Sequence, residues 1–184
     1  MGRVINFSLP AGKTCPGSSD WCKKFCYAKK NTFMFPGVQT KYKENLEISR
    51  TEMFVKKILE ELGKNKTPLV RIHVSGDFYS VSYIDKWKKI VKESEDKKFF
   101  ATTRSWCVPK LRDSLEELRE LPNIALKAST DSTLSNPPRG WAEMGVDKTN
   151  NPDGKLCGYQ AKKLKCSECK SCWGKETSTI MKKH

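Results

Sequence analysis

The eight cysteines of this chain fall into two tight groups and one outlier. Cys15, Cys22 and Cys26 lie within CPGSSDWCKKFCYA, Cys157, Cys166, Cys169 and Cys172 within CGYQAKKLKCSECKSCW, and Cys107 stands apart. Reduced thiols gathered this closely hold metal. In the second group three ligands fall within seven residues, as Cys166-x2-Cys169-x2-Cys172, and Cys157 can close the set. That spacing crowds a tetrahedral zinc site made of two separated knuckles and suits a loop wrapped around a four-iron cluster, with zinc the competing expectation. The first group supplies three thiolates and no evident fourth. His73 or Cys107 could complete it, and otherwise one metal position is open to a substrate or cofactor. The expectation is therefore two four-iron, four-sulfur clusters.

Disulfides are the alternative, and the compartment argues against them. The opening MGRVINFSLPAGK lacks the apolar stretch of a signal peptide, and no window approaches the roughly 18 apolar residues of a membrane span. A cytoplasmic protein with reduced thiols and no membrane partner is expected.

The elements that must position these groups follow from periodicity. Residues 4–9 (VINFSL), 69–76 (LVRIHVSG), 98–106 (KFFATTRSW) and 123–130 (NIALKAST) read as strands. Between them, 37–62 is helical, Tyr83, Ile84, Trp87, Ile90 and Val91 form one apolar stripe, and Pro109 suits the first turn of a helix carrying Leu111, Leu115 and Leu118. Strand and helix alternate four times, so the fold class is α/β with a parallel sheet. Beyond Asp131 the chain turns rich in Pro, Gly, Asn and Ser and reads as irregular up to the second cysteine group. The expected plan is an α/β core over 1–132 and a cluster-binding extension over 133–184, packed as one unit.

Strand alternation places Arg71, His73 and Ser75 on one face, and Thr102, Arg104 and Trp106 on another. His73 is either a satisfied core histidine or a substrate contact. Arg104 could take a carboxylate or phosphate through its planar fork, or sit in an ordinary ion pair. Asp77 could accept from a ligand amine or cap the next helix. Cys107 is a buried thiol or a redox group, and Lys127, interrupting an apolar strand, must face something polar. Trp21, Phe25, Tyr27, Trp141 and Trp173 stand beside the cysteine groups and would shield clusters from water. No nucleophile elbow or second useful histidine supports a serine hydrolase. The net charge of +14, from 35 Lys plus Arg against 21 Asp plus Glu, favours an anionic partner, nucleic acid first.

With Phe25 before Cys26 and Tyr27 after it, CKKFCY resembles the ending of the radical S-adenosylmethionine (SAM) motif, which in that superfamily also follows a first strand. Ser75-Gly76-Asp77 resembles the segment that binds the SAM amino group, and Ala128-Ser129-Thr130-Asp131-Ser132 resembles one lining the cofactor site. The resemblance implies a partial (β/α) barrel, SAM on the open iron of the first cluster, and cofactor contacts from Phe25, Tyr27, Ser75, Gly76, Asp77, Ser129 and Asp131. It also implies reductive cleavage of SAM to a carbon radical, an auxiliary C-terminal cluster, and an electron donor such as a flavodoxin or ferredoxin. His73, Arg104 and Cys107 are then the candidate catalytic groups. More closely, LPAGKTCPG…WCKKFCYA with the terminal cysteine run resembles the small phage gene product 88-like proteins. The chain departs from the superfamily in its C-x6-C-x3-C spacing, against the common C-x3-C-x2-C, and in having SGD for a GGE-like segment. The alternative class is a non-catalytic, metal-stabilised nucleic-acid-binding module, with zinc or a saturated cluster and no SAM affinity.

Overall fold

The computed structural model describes residues 4–147 and 154–182. Over these the chain is mixed α/β, built on a seven-stranded, wholly parallel sheet. The strands are β1 (Ile5–Phe7), β2 (Leu69–Ile72), β3 (Lys98–Thr103), β4 (Ile124–Thr130), β5 (Glu143–Val146), β6 (Lys155–Leu156) and β7 (Thr179–Met181). They lie in the order β1-β2-β3-β4-β5-β7-β6, so the first five follow chain order.

Three helices cover one face: α3 (Met53–Gly63), α4 (Val81–Lys92) and α5 (Pro109–Glu120). Their stripes, with Phe54, Trp87, Ile90, Leu111 and Leu115 fully buried, meet Val70, Ile72, Phe99, Ala101, Ile124 and Leu126 of the sheet. Each such side chain contributes about 1.5–3 kcal/mol by leaving water, which makes this the main core. Ser80 caps α4 by accepting from the Tyr83 N–H, and Pro109 opens α5 where its missing N–H costs nothing. Residues of the opposite parity face the other way. Phe100, Ala125 and Met144 there meet Cys172, Trp173 and Met181, so the C-terminal extension closes part of the second face.

Several expectations are corrected. The helix over 37–62 is two, α2 (Pro36–Arg50) and α3, broken at Thr51. There the Thr51 hydroxyl and N–H both turn back to the Ile48 carbonyl, and Lys86 holds the freed Ser49 and Thr51 carbonyls. The strand over 98–106 ends at Thr103. Arg104 takes helical backbone angles and 105–107 form a 3-10 turn, because Asp77 accepts the Arg104 N–H and the Thr103 hydroxyl accepts the Ser105 N–H. Thr102, Arg104 and Trp106 therefore share no strand face, and Trp106 packs in the helix-side core. The extension is less irregular than its composition suggests. It supplies β5, β6 and β7, with α6 (Gly158–Lys162) and α7 (Cys166–Cys169), because short segments too weak to pair alone are completed by the free edge of β4. Part of the stretch read as irregular, residues 148–153, lies outside the described residues.

Candidate functional site

The first cysteine group occupies a loop seated over the carboxyl ends of the strands. The loop is fastened at its entry by the Leu9 N–H to Ser75 carbonyl bond and by the Thr14 hydroxyl on the Pro10 carbonyl. Gly17 presses so closely on Arg104 that a Cβ would sit 2.2 Å from its carbonyl oxygen. Ser19 then starts the short helix α1 (Asp20–Phe25): its hydroxyl accepts from the Cys22 N–H at 3.0 Å and donates to Asp131 at 2.7 Å. Cys22 lies within α1 and Cys26 caps it, which brings both to the same cavity as Cys15.

These three cysteines line one cavity of about 280 Å³. Trp21 and Phe25, in contact at 5.1 Å, form part of its wall with Tyr27, whose hydroxyl donates to the Val74 carbonyl. The floor comes from the second sheet face, through Arg71, Thr102, Ser129 and Met144. Strand ends of a parallel sheet open onto ligand sites because the connecting loops diverge there. Burial, reinforced by Asp77, pushes the Cys15 thiol up to about 12, and burial raises Cys22 against the pull of Arg104. Without a bound cation both stay protonated at neutral pH, so ligand chemistry here requires a metal to displace the protons.

Among the described residues, no three His, Cys, Asp or Glu side chains converge closely enough to hold a single metal ion. A single ion needs its donors around one point, whereas a cluster takes thiolates at separate corners. The donor set, three thiols around one cavity and no carboxylate free to bind, has the chemistry of a cluster site. Asp77 also lines the cavity, but its two oxygens are already engaged by the Phe78 N–H, the Thr103 hydroxyl at 2.6 Å and the Arg104 N–H at 2.8 Å.

The residues singled out in the sequence divide into those that line the cavity and those that build it. Cys15, Cys22, Phe25, Cys26, Tyr27, His73, Ser75, Gly76, Asp77, Arg104 and Ser129 all border it. His73 does not follow the alternation that would align it with Arg71. Its φ of +63° turns the ring onto Phe78 and Tyr83, and its Nε2 bonds the Tyr83 hydroxyl at 2.9 Å. Burial pushes its pKa down to about 3, which keeps the imidazole neutral. Ser75 and Gly76 fasten the cysteine loop: the Ser75 hydroxyl donates to the Leu9 carbonyl, and Gly76, at φ +82°, leaves no room for a Cβ beside Leu9. Asp77 is no helix cap, since Ser80 fills that position; it clips the end of β2 to the end of β3.

Arg104 is paired with Asp131 in a buried ion pair. Asp131 also accepts from Ser19, from the Thr133 hydroxyl and N–H, and from the Leu134 N–H. Its carboxylate is thus fully occupied by the protein. Burial raises its pKa, but the Ser19 and Thr133 bonds and the Arg104 charge outweigh burial and hold it below the ordinary value. Cys107 lies behind the loop, its thiol 3.7 Å from the Gly17 carbonyl, and is not part of the cavity lining. Trp141 shields neither cysteine group: it stacks under Arg119 and donates to Glu116 on the helix side. Sequence reasoning missed Ser19, whose signal was a Ser-Ser-Asp start ahead of an aromatic turn.

The second cysteine group gathers around a cavity of about 30 Å³, lined by all four of its cysteines, Gly158 and Trp173. A Cβ on Gly158 would lie 2.7 Å from the Cys169 sulfur, so the backbone makes room for that thiol. Ser171 hydrogen bonds, through side chain and backbone, hold the Cys169 pKa below the ordinary thiol value. Burial raises Cys172, with Lys127 and Arg71 pulling it back. Lys127 is fully buried and bonds the Ser171 and Thr177 carbonyls, which explains a lysine inside an apolar strand. The residues present fit a second thiolate-held group.

Fold and site together define a parallel α/β protein with a cysteine-lined cavity at its strand ends. The chain belongs to the Gene product 88 family, which it matches over residues 2–140. It is 28% identical over 161 residues to the Gene 88 protein of Mycobacterium phage L5, covering 80% of this chain and 65% of that protein. To the Gene 88 protein of Mycobacterium phage D29 it is 30% identical over 118 residues, 56% of this chain and 49% of that protein. The matched regions thus span 65% and 49% of those relatives' lengths, less than two thirds of either. No solved structure matches the chain. No helix among the described residues is long and apolar enough to cross a membrane.

Proposed function

We propose that the chain is a radical-SAM-like iron–sulfur enzyme whose sheet is an open (β/α) barrel. The observation that carries this reading is the convergence of Cys15, Cys22 and Cys26 on one cavity at the strand ends, with no fourth protein thiol lining it. A four-iron cluster held by three thiolates would supply a low-potential electron and an iron position free to bind SAM. The chain's own residues hold and shield that centre. Ser19, anchored by Asp131 and Arg104, fixes the helix that carries Cys22. Trp21, Phe25 and Tyr27 keep water from the thiolates. Ser75 and Gly76 set the loop height, and the Ser129 side of the floor is left for ligand contacts.

The Cys157, Cys166, Cys169 and Cys172 set would hold an auxiliary cluster that relays electrons or anchors substrate. A flavodoxin or ferredoxin is the fitting electron donor, and the net charge of +14 supports an anionic substrate, nucleic acid first. The test is anaerobic purification with iron, sulfide and zinc analysis, then EPR of the reduced protein with and without SAM. Roughly eight irons per chain and a signal perturbed by SAM support the proposal. Zinc in place of iron, or a signal indifferent to SAM, overturns it in favour of a metal-stabilised nucleic-acid-binding module.

A further inference from the structure

The cavity is lined by two arginines in different electrical states. Arg104 is neutralised by Asp131. Arg71 is not matched by any carboxylate among the described residues. The one carboxylate that lines the cavity, Asp77, accepts three bonds from elsewhere. The Arg71 Nε is buried and has no hydrogen-bond partner, and its guanidinium lies 5.7 Å over the Phe100 ring. Lys127 of β4, whose ammonium lies 5.8 Å from the same Phe100 ring, bonds the Ser171 and Thr177 carbonyls, so its charge is committed to the C-terminal extension. Lys182 at the margin adds a further positive charge, and Asp77 is the only acidic side chain among the described residues that line the cavity.

An N–H that has left water without finding an acceptor is costly, and the Nε of this half-buried arginine is such a group. Such a group is retained where a ligand completes it. Its fork of parallel N–H donors matches the two oxygens of a carboxylate or phosphate. Around it the lining is largely apolar: Trp21, Phe25, Val74, Met144, Val146 and Met181. We infer that Arg71 is the anchor for an oxyanion on the substrate, and that the substrate presents one phosphate or carboxylate on an apolar or aromatic body. This takes the cavity to be the substrate site, and so rests on the proposal above. The titration that tests it, however, needs neither cluster nor cofactor.

Phenyl phosphate and benzoate carry the two oxyanions on one aromatic body, and phenol carries neither. Each is titrated into the purified protein while the Arg71 Nε–H resonance is followed by NMR. Binding of phenyl phosphate, benzoate or both, with a downfield shift of that resonance and affinity at least about tenfold above phenol, is expected. The tighter of the two identifies the oxyanion. Arg71→Met keeps the stem over Phe100 and should abolish the preference for the anions, while Arg71→Lys should weaken it about tenfold. If Arg71→Met does not fold, the Lys variant and the resonance shift decide. Equal affinity for phenol and the anions, or anion binding unchanged in the variants, overturns the inference. So does a loss of SAM affinity in Arg71→Lys with anion binding intact, since Arg71 would then serve the cofactor. Absence of iron or of SAM binding overturns the functional proposal and leaves this titration readable.

Discussion

Replacing Asp131 by asparagine tests whether the first cysteine group is held by a buried charge pair. The Oδ1 side of Asp131 accepts from two N–H groups and the Thr133 hydroxyl, so an asparagine must place its carbonyl there. Its NH2 then faces the Arg104 guanidinium and the Ser19 hydroxyl, donor against donor at the first. The Arg104 charge is left buried without a counter-charge, a change that costs about 3–5 kcal/mol where burial is complete. Because the Arg104 side chain retains some exposure, at 10%, we expect about 3 kcal/mol. Urea denaturation of the reduced, metal-free protein measures it as a shift in midpoint at constant slope. Arg104→Met in the same background should rescue part of the loss, giving a coupling of about 1.5–3 kcal/mol in the double-mutant cycle. The pH dependence has a fixed sign. With its folded pKa below the ordinary 3.8, Asp131 contributes stability that is present above pH 3.8 and lost as pH falls through the folded value. The asparagine variant should lack that share of the acid loss. A cost under about 1 kcal/mol, or additive effects in the cycle, would refute the reasoning, for then Arg104 and Asp131 would not depend on each other.

Gly76→Ala should cost about 3 kcal/mol or more, read by the same denaturation, since φ is +82° and the added Cβ would lie 2.5 Å from Leu9 Cβ, which Ser75 holds in place. Lys127→Met should leave global stability within about 1 kcal/mol but speed amide exchange around 171–179 about tenfold, because the ammonium ties those carbonyls to β4; unchanged exchange would remove that role. Cys26→Ser and Cys172→Ser should each lower the iron content of the anaerobic protein by about half, and a full complement in either would show that its group holds no cluster.

Much of this protein is determined by sequence alone. The first four strands, which carry Phe7, Val70, Phe99 and Leu126, the stripes of α4 and α5, and the two cysteine groups are local patterns, written in periods of two and 3.6 and in ligand spacing. Such patterns survive folding because they are the surfaces that pack. Other features depended on contacts between distant residues. His73 leaves its strand because the ring finds Tyr83 and Phe78 in the helix-side core. Arg104 and Asp131 lie 27 residues apart, and only the side-by-side ends of β3 and β4 make them a pair rather than two ligand contacts. The extension reads as irregular because β5, β6 and β7 draw their hydrogen bonds from neighbouring strands and not from their own composition. That no carboxylate among the described residues pairs with Arg71 is also a tertiary fact, since the sequence gives its charge but not what stands opposite it.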